Sequence, residues 1–346
     1  MKFLLDQLPE EWDLGDVPAY RRDQLRDWIF EHRSDAFEEM TNLPAATRHK
    51  LSAEYILHPL KIARQQGSHD TTRKFLWQLA ENDFVESVLI PASPNFYGER
   101  ADRFTLCVST QVGCAYGCKF CASGLDGWKR NLSPAEIVAQ IIETERATGV
   151  KVNNIVFMGM GEPLANYDAV MKSIEIINSH WGLNIGARHI TISTSGLAPQ
   201  IRQLADEPRQ FRLALSLHGG SDKVRAKIMP VNKKYPLAEL LDACAYYQEK
   251  KRKMMALEYI LIDGINDDPS EAILVARHAK RLHAKVNLIP YNKVEGLPWT
   301  RPSEEKVNLF GKIILDHGAR VTIRREKGHD IDAACGQLRL KEIHQT

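Results

Sequence analysis

Cys114-Ala115-Tyr116-Gly117-Cys118-Lys119-Phe120-Cys121 sets three thiols within one short loop, at Cys-x3-Cys-x2-Cys spacing, with no fourth cysteine nearby. A thiolate is a soft ligand, suited to zinc or to an iron–sulfur cluster. A structural zinc site asks for four protein ligands that close a tetrahedron. In a 4Fe–4S cubane, three cysteines leave one iron open to a small molecule. Gly117 and Ala115 keep the loop slim, and the tight spacing fits a compact cluster better than two separated zinc knuckles. Chance grouping is a poor account, because the chain has only six cysteines in 346 residues.

Outward from this loop, the pattern from Thr105 is strand, loop, helix, repeated. It predicts strands near 105–111, 153–158, 188–194, 211–217, 254–262, 284–289 and 319–324. Amphipathic helices are predicted near 133–148, 168–180, 197–206, 237–251, 270–282 and 303–317. Regular βα alternation implies an α/β fold with a parallel sheet and right-handed crossovers. Six such units with a seventh strand suit a partial TIM-like (βα)6 barrel, whose site forms at the C-terminal ends of the strands.

Strand one runs into the cysteine loop, and strand two ends in Gly159-Met160-Gly161-Glu162-Pro163. Strand three ends in Ser193-Thr194-Ser195-Gly196, strand four in Ser216-Leu217-His218-Gly219-Gly220 and strand six in Pro290-Tyr291-Asn292. The seventh leads toward Cys335, so every distinctive motif falls on one rim. Singly, each is weaker: glycines after a strand are commonly tight turns, and a lone histidine is more often structural.

Residues 1–60 read as a small helical accessory unit. Tyr20, Leu25, Trp28, Ile29 and Phe37 form a broken apolar stripe, with Arg21, Arg22, Arg26 and Arg33 among them. A second helix spans about Ala45 to Tyr55, with Arg48 and Lys50 exposed. On charge alone these cations read as a solvated face, balanced by Glu31, Asp35, Glu38 and Glu39; phosphate contacts are the functional reading. Residues 61–103 read as a β-hairpin joined around Glu81-Asn82-Asp83, with Glu86 in its second strand. The barrel takes 104–326, and 327–346 forms a C-terminal loop and tail. The net charge of +2 excludes a surface coated in basic residues. Lys223, Arg225, Lys227, Lys233 and Lys234, beyond strand four, are the expected phosphate-binding patch, and Lys250-Lys251-Arg252-Lys253 at the opposite end a solvated one. No apolar run approaches the roughly 20 residues of a membrane span, and the acidic residues of the first segment fit no secretory signal. Cysteines without a disulfide framework point to a reducing cytoplasm.

Beyond its spacing, the cysteine loop sits in text that resembles the RlmN/Cfr family of radical S-adenosylmethionine (SAM) RNA adenine methyltransferases. Cys107-Val108-Ser109-Thr110-Gln111-Val112-Gly113-Cys114, Gly159-Met160-Gly161-Glu162-Pro163 and Asp330-Ile331-Asp332-Ala333-Ala334-Cys335-Gly336-Gln337-Leu338 carry the likeness, which runs from about Tyr20 to Leu338. The resemblance implies a radical SAM barrel with one 4Fe–4S cluster on Cys114, Cys118 and Cys121. It implies SAM bound through Gly161, Glu162, Ser193, Ser216, Leu217, His218 and Asn292, two molecules being used per turnover. It gives Cys335 as the thiol that takes a methyl by displacement, Glu86 as the proton-handling carboxylate and Cys107 as the thiol that attacks Cys335 to release product and leave a disulfide. Small neighbours and the upstream Arg324, Arg325 and Lys327 suit Cys335 to reactivity. From the residues alone, Cys107 would be a buried strand cysteine. Cys244 reads as core.

The implied product is an adenine methylated at C2, at adenosine 2503 of 23S ribosomal RNA and, for some relatives, adenosine 37 of transfer RNA. Ring carbons of this kind are not nucleophiles, which is why a radical route is needed. The implied partners are these RNAs and a reductant such as flavodoxin or ferredoxin, with the protein a monomer free of membranes. The nearest alternative is C8 methylation of the same base. More distant ones are a radical SAM enzyme acting on a protein or small molecule, and a zinc-stabilised RNA-binding module without catalysis.

Overall fold

Residues 1–92, 103–125, 127–324, 328–331 and 333 are described in a computed structural model; Cys335 lies outside them. Strand β1 (Lys2–Phe3) pairs in parallel with β2 (Tyr55–Ile56), closing a unit that contains helices α1 (Tyr20–Phe30) and α2 (Ala45–Glu54). Leu25, Ile29, Phe37 and Leu51 fill its core, whereas Tyr20 is 51% exposed, so the apolar stripe begins at Leu25. Polar ties hold the unit to the rest of the chain. Asp6 Oδ1 accepts from Ala135 N at 3.0 Å, Arg33 pairs with Glu145 at 2.6 Å, and His58 Nδ1 donates to Glu143 at 2.6 Å.

The main sheet starts with an antiparallel meander, β3 (Lys61–Gly67), β4 (Arg73–Gln78) and β5 (Phe84–Pro91). The sequence predicts only the last two. β3 carries Lys-Ile-Ala-Arg-Gln-Gln-Gly on the sheet edge, almost wholly exposed, so it lacks the apolar alternation that marks a strand. β5 then pairs antiparallel with β6 (Phe104–Cys107). The first barrel strand therefore ends at Cys107 rather than near 111. Residues 111–113 form β7 (Gln111–Gly113), which pairs instead with β8 (Trp128–Asn131).

From here the βα units follow in order. They are α3 (Pro134–Thr148), β9 (Val152–Phe157), α4 (Tyr167–Asn178), β10 (Ile190–Thr194), α5 (Ala198–Asp206) and β11 (Arg212–Ser216). Then come α6 (Asp222–Ile228), α7 (Leu237–Lys251), β12 (Ala256–Leu261), α8 (Pro269–Arg281), β13 (Lys285–Pro290), α9 (Glu304–Asp316) and β14 (Arg320–Ile323). All predicted helices form within about two residues of their expected bounds; α6 was not foreseen. The helix signals are local. In α3, Ser133 caps Glu136 N while the Glu136 side chain returns to Ser133 N, Pro134 opens the first turn, and Gly149 ends the helix at φ 69°. The strand order is β14-β13-β12-β11-β10-β9-β6-β5-β4-β3, parallel from β14 to β6, so the partial barrel is one open sheet extended by the meander. Among the described residues, no helix is long and apolar enough to cross a membrane.

Register decides which side chains share a face, because cross-strand partners point the same way and neighbours along a strand point opposite ways. Cys107 is opposite Val88 and Val156, Ser193 opposite Ala214, Ser216 opposite Glu258, and Glu258 opposite Asn287. Tyr259 packs on Phe310 of α9, ring centroids 5.2 Å apart. Glu258, next to it, faces away from the helices. By the same count Glu86, Cys107, Ser193, Ser216, Glu258 and Asn287 share the helix-free face, while Ile155, Phe157, Ile192 and Leu215 fill the layer under the helices.

Candidate active site

The β7–β8 ribbon is the base of the cysteine loop. Cys114 N donates to Gly127 O at 2.9 Å, and a Cβ on Gly113 (φ 74°) would fall 1.9 Å from that oxygen, so only glycine fits. The loop is closed internally by Cys121 N to Cys118 O at 3.0 Å and anchored externally by Lys119 N to Ile228 O at 2.9 Å, at the end of α6. Phe120 sets its edge against the His218 ring, centroids 4.6 Å apart.

The three thiols are each other's electrostatic neighbours. Burial, then Glu162 and Cys121, pushes Cys114 up to about 12. Burial, then Cys121, Cys114 and Glu162, raises Cys118 well above the usual thiol range, and burial raises Cys121. Beside Cys118 and Cys121 opens a cavity of about 480 Å3, with Lys119, Lys227, Leu297 and Trp299 on its wall.

The Gly159–Pro163 turn abuts the 108–111 segment. Met160 N donates to Ser109 Oγ at 2.8 Å and Glu162 N to Gln111 Oε1 at 2.8 Å. A Cβ on Gly159 would lie 2.7 Å from Ser109 N, and one on Gly161 (φ 101°) 2.6 Å from Gln111 Cβ. The turn's glycines are thus required by chain-to-chain approach. Glu162 is buried and already engaged, Oε1 accepting from Leu164 N at 3.1 Å and Oε2 from Ser195 N at 2.6 Å. It braces the ends of β9 and β10 together.

Ser193 and Ser216 are half-buried on the helix-free face, and Asn292 follows β13 at the same end of the sheet. Leu217 is wholly buried; its N donates to Glu258 O at 3.0 Å and its carbonyl accepts from Arg225 Nε at 3.0 Å, so it offers apolar wall rather than free polar backbone. His218 adopts φ 54°, and its Nδ1 accepts from Ile260 N at 2.9 Å, which leaves the proton on Nε2. Burial, then the Arg225 charge, pushes its pKa down to about 3, so it is a neutral donor at physiological pH.

Glu86 is buried in β5, and Lys74 Nζ, on the neighbouring strand, is 3.2 Å from its Oε1. Its carbonyl accepts from Ser109 Oγ at 2.5 Å, which links it to Met160 and the rim. Cys107 is buried on the same face, consistent with the buried strand position expected from the residues. The segment leading to Cys335 is moored on the β3–β4 turn. Ser68 Oγ donates to Asp330 Oδ1 at 2.5 Å and Gly328 N to Asp70 Oδ2 at 3.0 Å.

The cationic patches require two corrections. Arg225 is wholly buried, so it cannot face RNA; Lys223, Lys227, Lys233 and Lys234 are exposed as expected. Lys251 is buried too, its Nζ donating to the carbonyls of Glu207 and Arg209, so the 250–253 run is not wholly a solvated face. The sequence reading also passed over Lys74, Glu258 and Asn287. Glu258 sits on the helix-free face, accepts from Asn287 Nδ2 at 2.7 Å and has its pKa raised by burial. Its one signal is a carboxylate inside the apolar run Ala256–Leu261.

The family model of the radical SAM superfamily matches residues 108–275, and that of the ribosomal RNA large subunit methyltransferase N-terminal domain matches 13–57. A protein of Akkermansia muciniphila named "Probable dual-specificity RNA methyltransferase RlmN" is 56% identical over 93% of this chain and 90% of its own. The chain belongs to the RlmN family. A Thermotoga maritima relative bearing the same name is 46% identical, with 99% of each chain covered. The crystal structure of a radical SAM methyltransferase from Sphaerobacter thermophilus superposes with a TM-score of 0.91 at 41% identity, over 98% of this chain and 99% of that one.

Membership of the RlmN family and the radical SAM superfamily implies a 4Fe–4S cluster and SAM. The thiol loop fits such a cluster. Three half-buried thiols whose thiolates have no cation of the described residues paired with them gain charge compensation when a metal replaces their protons. Among the described residues, no three His, Cys, Asp or Glu side chains converge tightly enough to hold a single ion. A cluster spreads its ligands over separate irons and asks for no such point of convergence.

Proposed function

We propose that this chain methylates C2 of adenine, at adenosine 2503 of 23S ribosomal RNA and at adenosine 37 of transfer RNA, through a methylated Cys335. One observation carries the reading: Glu86 and Cys107 share the helix-free face with Ser193 and Ser216, at the end of the sheet that bears the three-thiol loop. The dual specificity in the names of the RlmN relatives supports the choice of two RNAs.

In this reading Cys114, Cys118 and Cys121 each hold one iron. Bound together, the cluster and SAM supply a radical able to take hydrogen from an unactivated methyl group, with the electron delivered by a flavodoxin- or ferredoxin-like donor. One SAM is consumed in this role and a second as methyl donor. The residues of the chain perform the remaining work. Cys335 attacks the sulfonium methyl of SAM and carries it as a thioether. Neutral His218 offers its Nε2–H, and Ser193, Ser216 and Asn292 their short polar groups, to the nucleoside and methionine ends of SAM. Leu217 and Gly161 shape the wall. Glu162 fixes that wall first, because its oxygens already bind two backbone amides, and any SAM amino group must share them. The carbon left on the Cys335 thioether after hydrogen loss bonds to the ring carbon; Lys74 holds the Glu86 carboxylate in place, and Glu86 takes the proton lost from that ring carbon. Cys107 then attacks the Cys335 sulfur as its bond to the transferred carbon breaks; that carbon takes up a proton to become the methyl group, one electron returns to the donor, and a disulfide is left for reduction.

We assign residues 1–60 to RNA binding, 61–103 to the extension that carries Glu86, 104–326 to the barrel and 327–346 to the Cys335 loop. Exposed Lys223, Lys227, Lys233 and Lys234 extend the RNA surface from the rim. The target base must leave its stack, at a cost of a few kcal/mol.

The test is nucleoside mass spectrometry of ribosomal and transfer RNA, purified separately from cells with and without the gene. The proposal expects 2-methyladenosine to vanish from both fractions on deletion. Loss of 8-methyladenosine instead would assign the chain to C8 chemistry. No change in any adenosine would refute RNA methylation by this protein.

A further inference from the structure

Arg225 is one of the largest wholly buried side chains in the protein, yet everything it bonds is neutral. Its Nε donates to Leu217 O at 3.0 Å and its Nη1 to Asn232 Oδ1 at 2.8 Å. Its Nη2 donates to Ser195 O at 2.5 Å and, at the limit of 3.5 Å, to Ser216 O. No carboxylate among the described residues is ion-paired with it. The nearest acid on its own helix, Asp222, is committed to Asn232 Nδ2 at 2.8 Å and Leu237 N at 2.9 Å. A buried guanidinium without a counter-ion carries a large desolvation cost. The fold nevertheless admits this one deliberately. A Cβ on Gly219 would lie 2.7 Å from the Arg225 backbone, and one on Gly196 3.0 Å from its Nη2, so two strand-end glycines make the room.

The thiol loop is a candidate position for the missing negative charge. α6, which carries Arg225, ends at Ile228, whose carbonyl accepts from Lys119 N between Cys118 and Cys121. The helix that carries Arg225 thus ends on the thiol loop, Phe120 of that loop packs on His218 beside Leu217, and the guanidinium is wedged between the ends of β10 and β11. We propose that Arg225 is the fixed counter-charge of the iron–sulfur cluster, a buried cation that makes the cluster easier to reduce. The inference rests on the reading that Cys114, Cys118 and Cys121 hold that cluster. Three thiolates outweigh the positive charge of the cluster core, and reduction adds a further electron. A fixed cation in low dielectric stabilises the reduced form more than the oxidised one, and salt does not screen it as it screens exposed Lys119 and Lys227.

A purely structural arginine, stapling β10 to β11, would leave the cluster's potential alone, and that separates the two roles. The full-length protein is reconstituted anaerobically, and its iron content and one-electron midpoint potential are measured by redox titration with paramagnetic resonance detection. Arg225→Gln should lower the equilibrium constant for reduction at least tenfold, about 59 mV for a one-electron couple, with iron content unchanged. Arg225→Lys, which keeps the charge and loses the fork, should stay within about threefold of the parent, roughly half that shift on a logarithmic scale. Equal potentials in all three proteins, or equal shifts in both variants, would overturn the proposal. Should Arg225→Gln fail to fold, Asn232→Asp leaves the guanidinium in place and sets a carboxylate against its Nη1. The potential should again fall, and an unchanged value overturns the proposal. A parent protein that takes up no 4Fe–4S cluster would instead overturn the reading of the thiol loop beneath it.

Discussion

Acidification should destabilise this protein through His218, and the amount follows from its surroundings. The ring is buried, its Nδ1 accepts from Ile260 N, and Arg225 opposes a second positive charge nearby. Its pKa is pushed from an ordinary 6.5 down to about 3. A depressed pKa means that the folded state prefers the neutral ring. The stability this contributes is complete above about 6.5 and is lost as pH falls toward about 3. Between pH 7 and pH 5 the unfolded chain takes up the proton and the folded one does not, which removes about 2 kcal/mol by linkage. Asparagine is the sharp control. Its Oδ1 can replace Nδ1 as acceptor for Ile260 N, it tolerates the left-handed φ of 54°, and it does not titrate. Urea denaturation of both proteins at pH 7 and pH 5, under anaerobic reducing conditions, reads the difference of differences, so other titrating groups cancel. His218→Asn should lose about 2 kcal/mol less than the parent over that interval. Identical losses would mean that His218 is charged or solvated in the folded protein, and the tautomer assigned to it would be wrong.

Glu162→Ala should cost about 2–5 kcal/mol in the same assay, because two buried amides, Leu164 N and Ser195 N, lose their acceptor; Glu162→Gln should cost less, and an alanine variant within 1 kcal/mol or so of the parent would refute the brace. Gly161→Ala should lose about 1–3 kcal/mol from backbone strain at φ 101°, more where Gln111 cannot yield, and a thermal midpoint equal to the parent's would count against the turn geometry. His58 has its pKa raised: burial opposes the shift, and the Glu143 hydrogen bond and charge outweigh it. Its contribution is present below the unfolded pKa of about 6.5 and is lost as pH rises through the folded value, so the protection of amides in α1 and α2, measured relative to their intrinsic exchange rates at each pH, should fall on the alkaline side. His58→Gln should abolish that pH dependence; if it persists, His58 is not what holds the N-terminal unit down.

The parts of this molecule legible in the sequence are those whose cause is local. Helix caps, βα periodicity and the Cys114–Cys121 spacing are each written within a dozen residues, and the structure returns them nearly in place. β3 was missed because an edge strand needs no apolar face, and the first barrel strand was overextended because Val108–Thr110 keep strand-like composition after leaving the sheet to meet Met160. The cations show the limit most clearly. Asp222-Lys223-Val224-Arg225-Ala226-Lys227 reads as an exposed basic turn, and for Lys223 and Lys227 it is one. Arg225 differs from them only through glycines at 196 and 219 and through carbonyls of two strand ends, none of which touches it in sequence. Lys251 is drawn inward by the carbonyls of Glu207 and Arg209 in the same way. Backbone carbonyls at strand ends are invisible to composition, yet they decide which positive charges face solvent and which are drawn inside. Sequence therefore counts the charges correctly and assigns their partners poorly, and the cation of that turn it misplaces is the one the fold encloses.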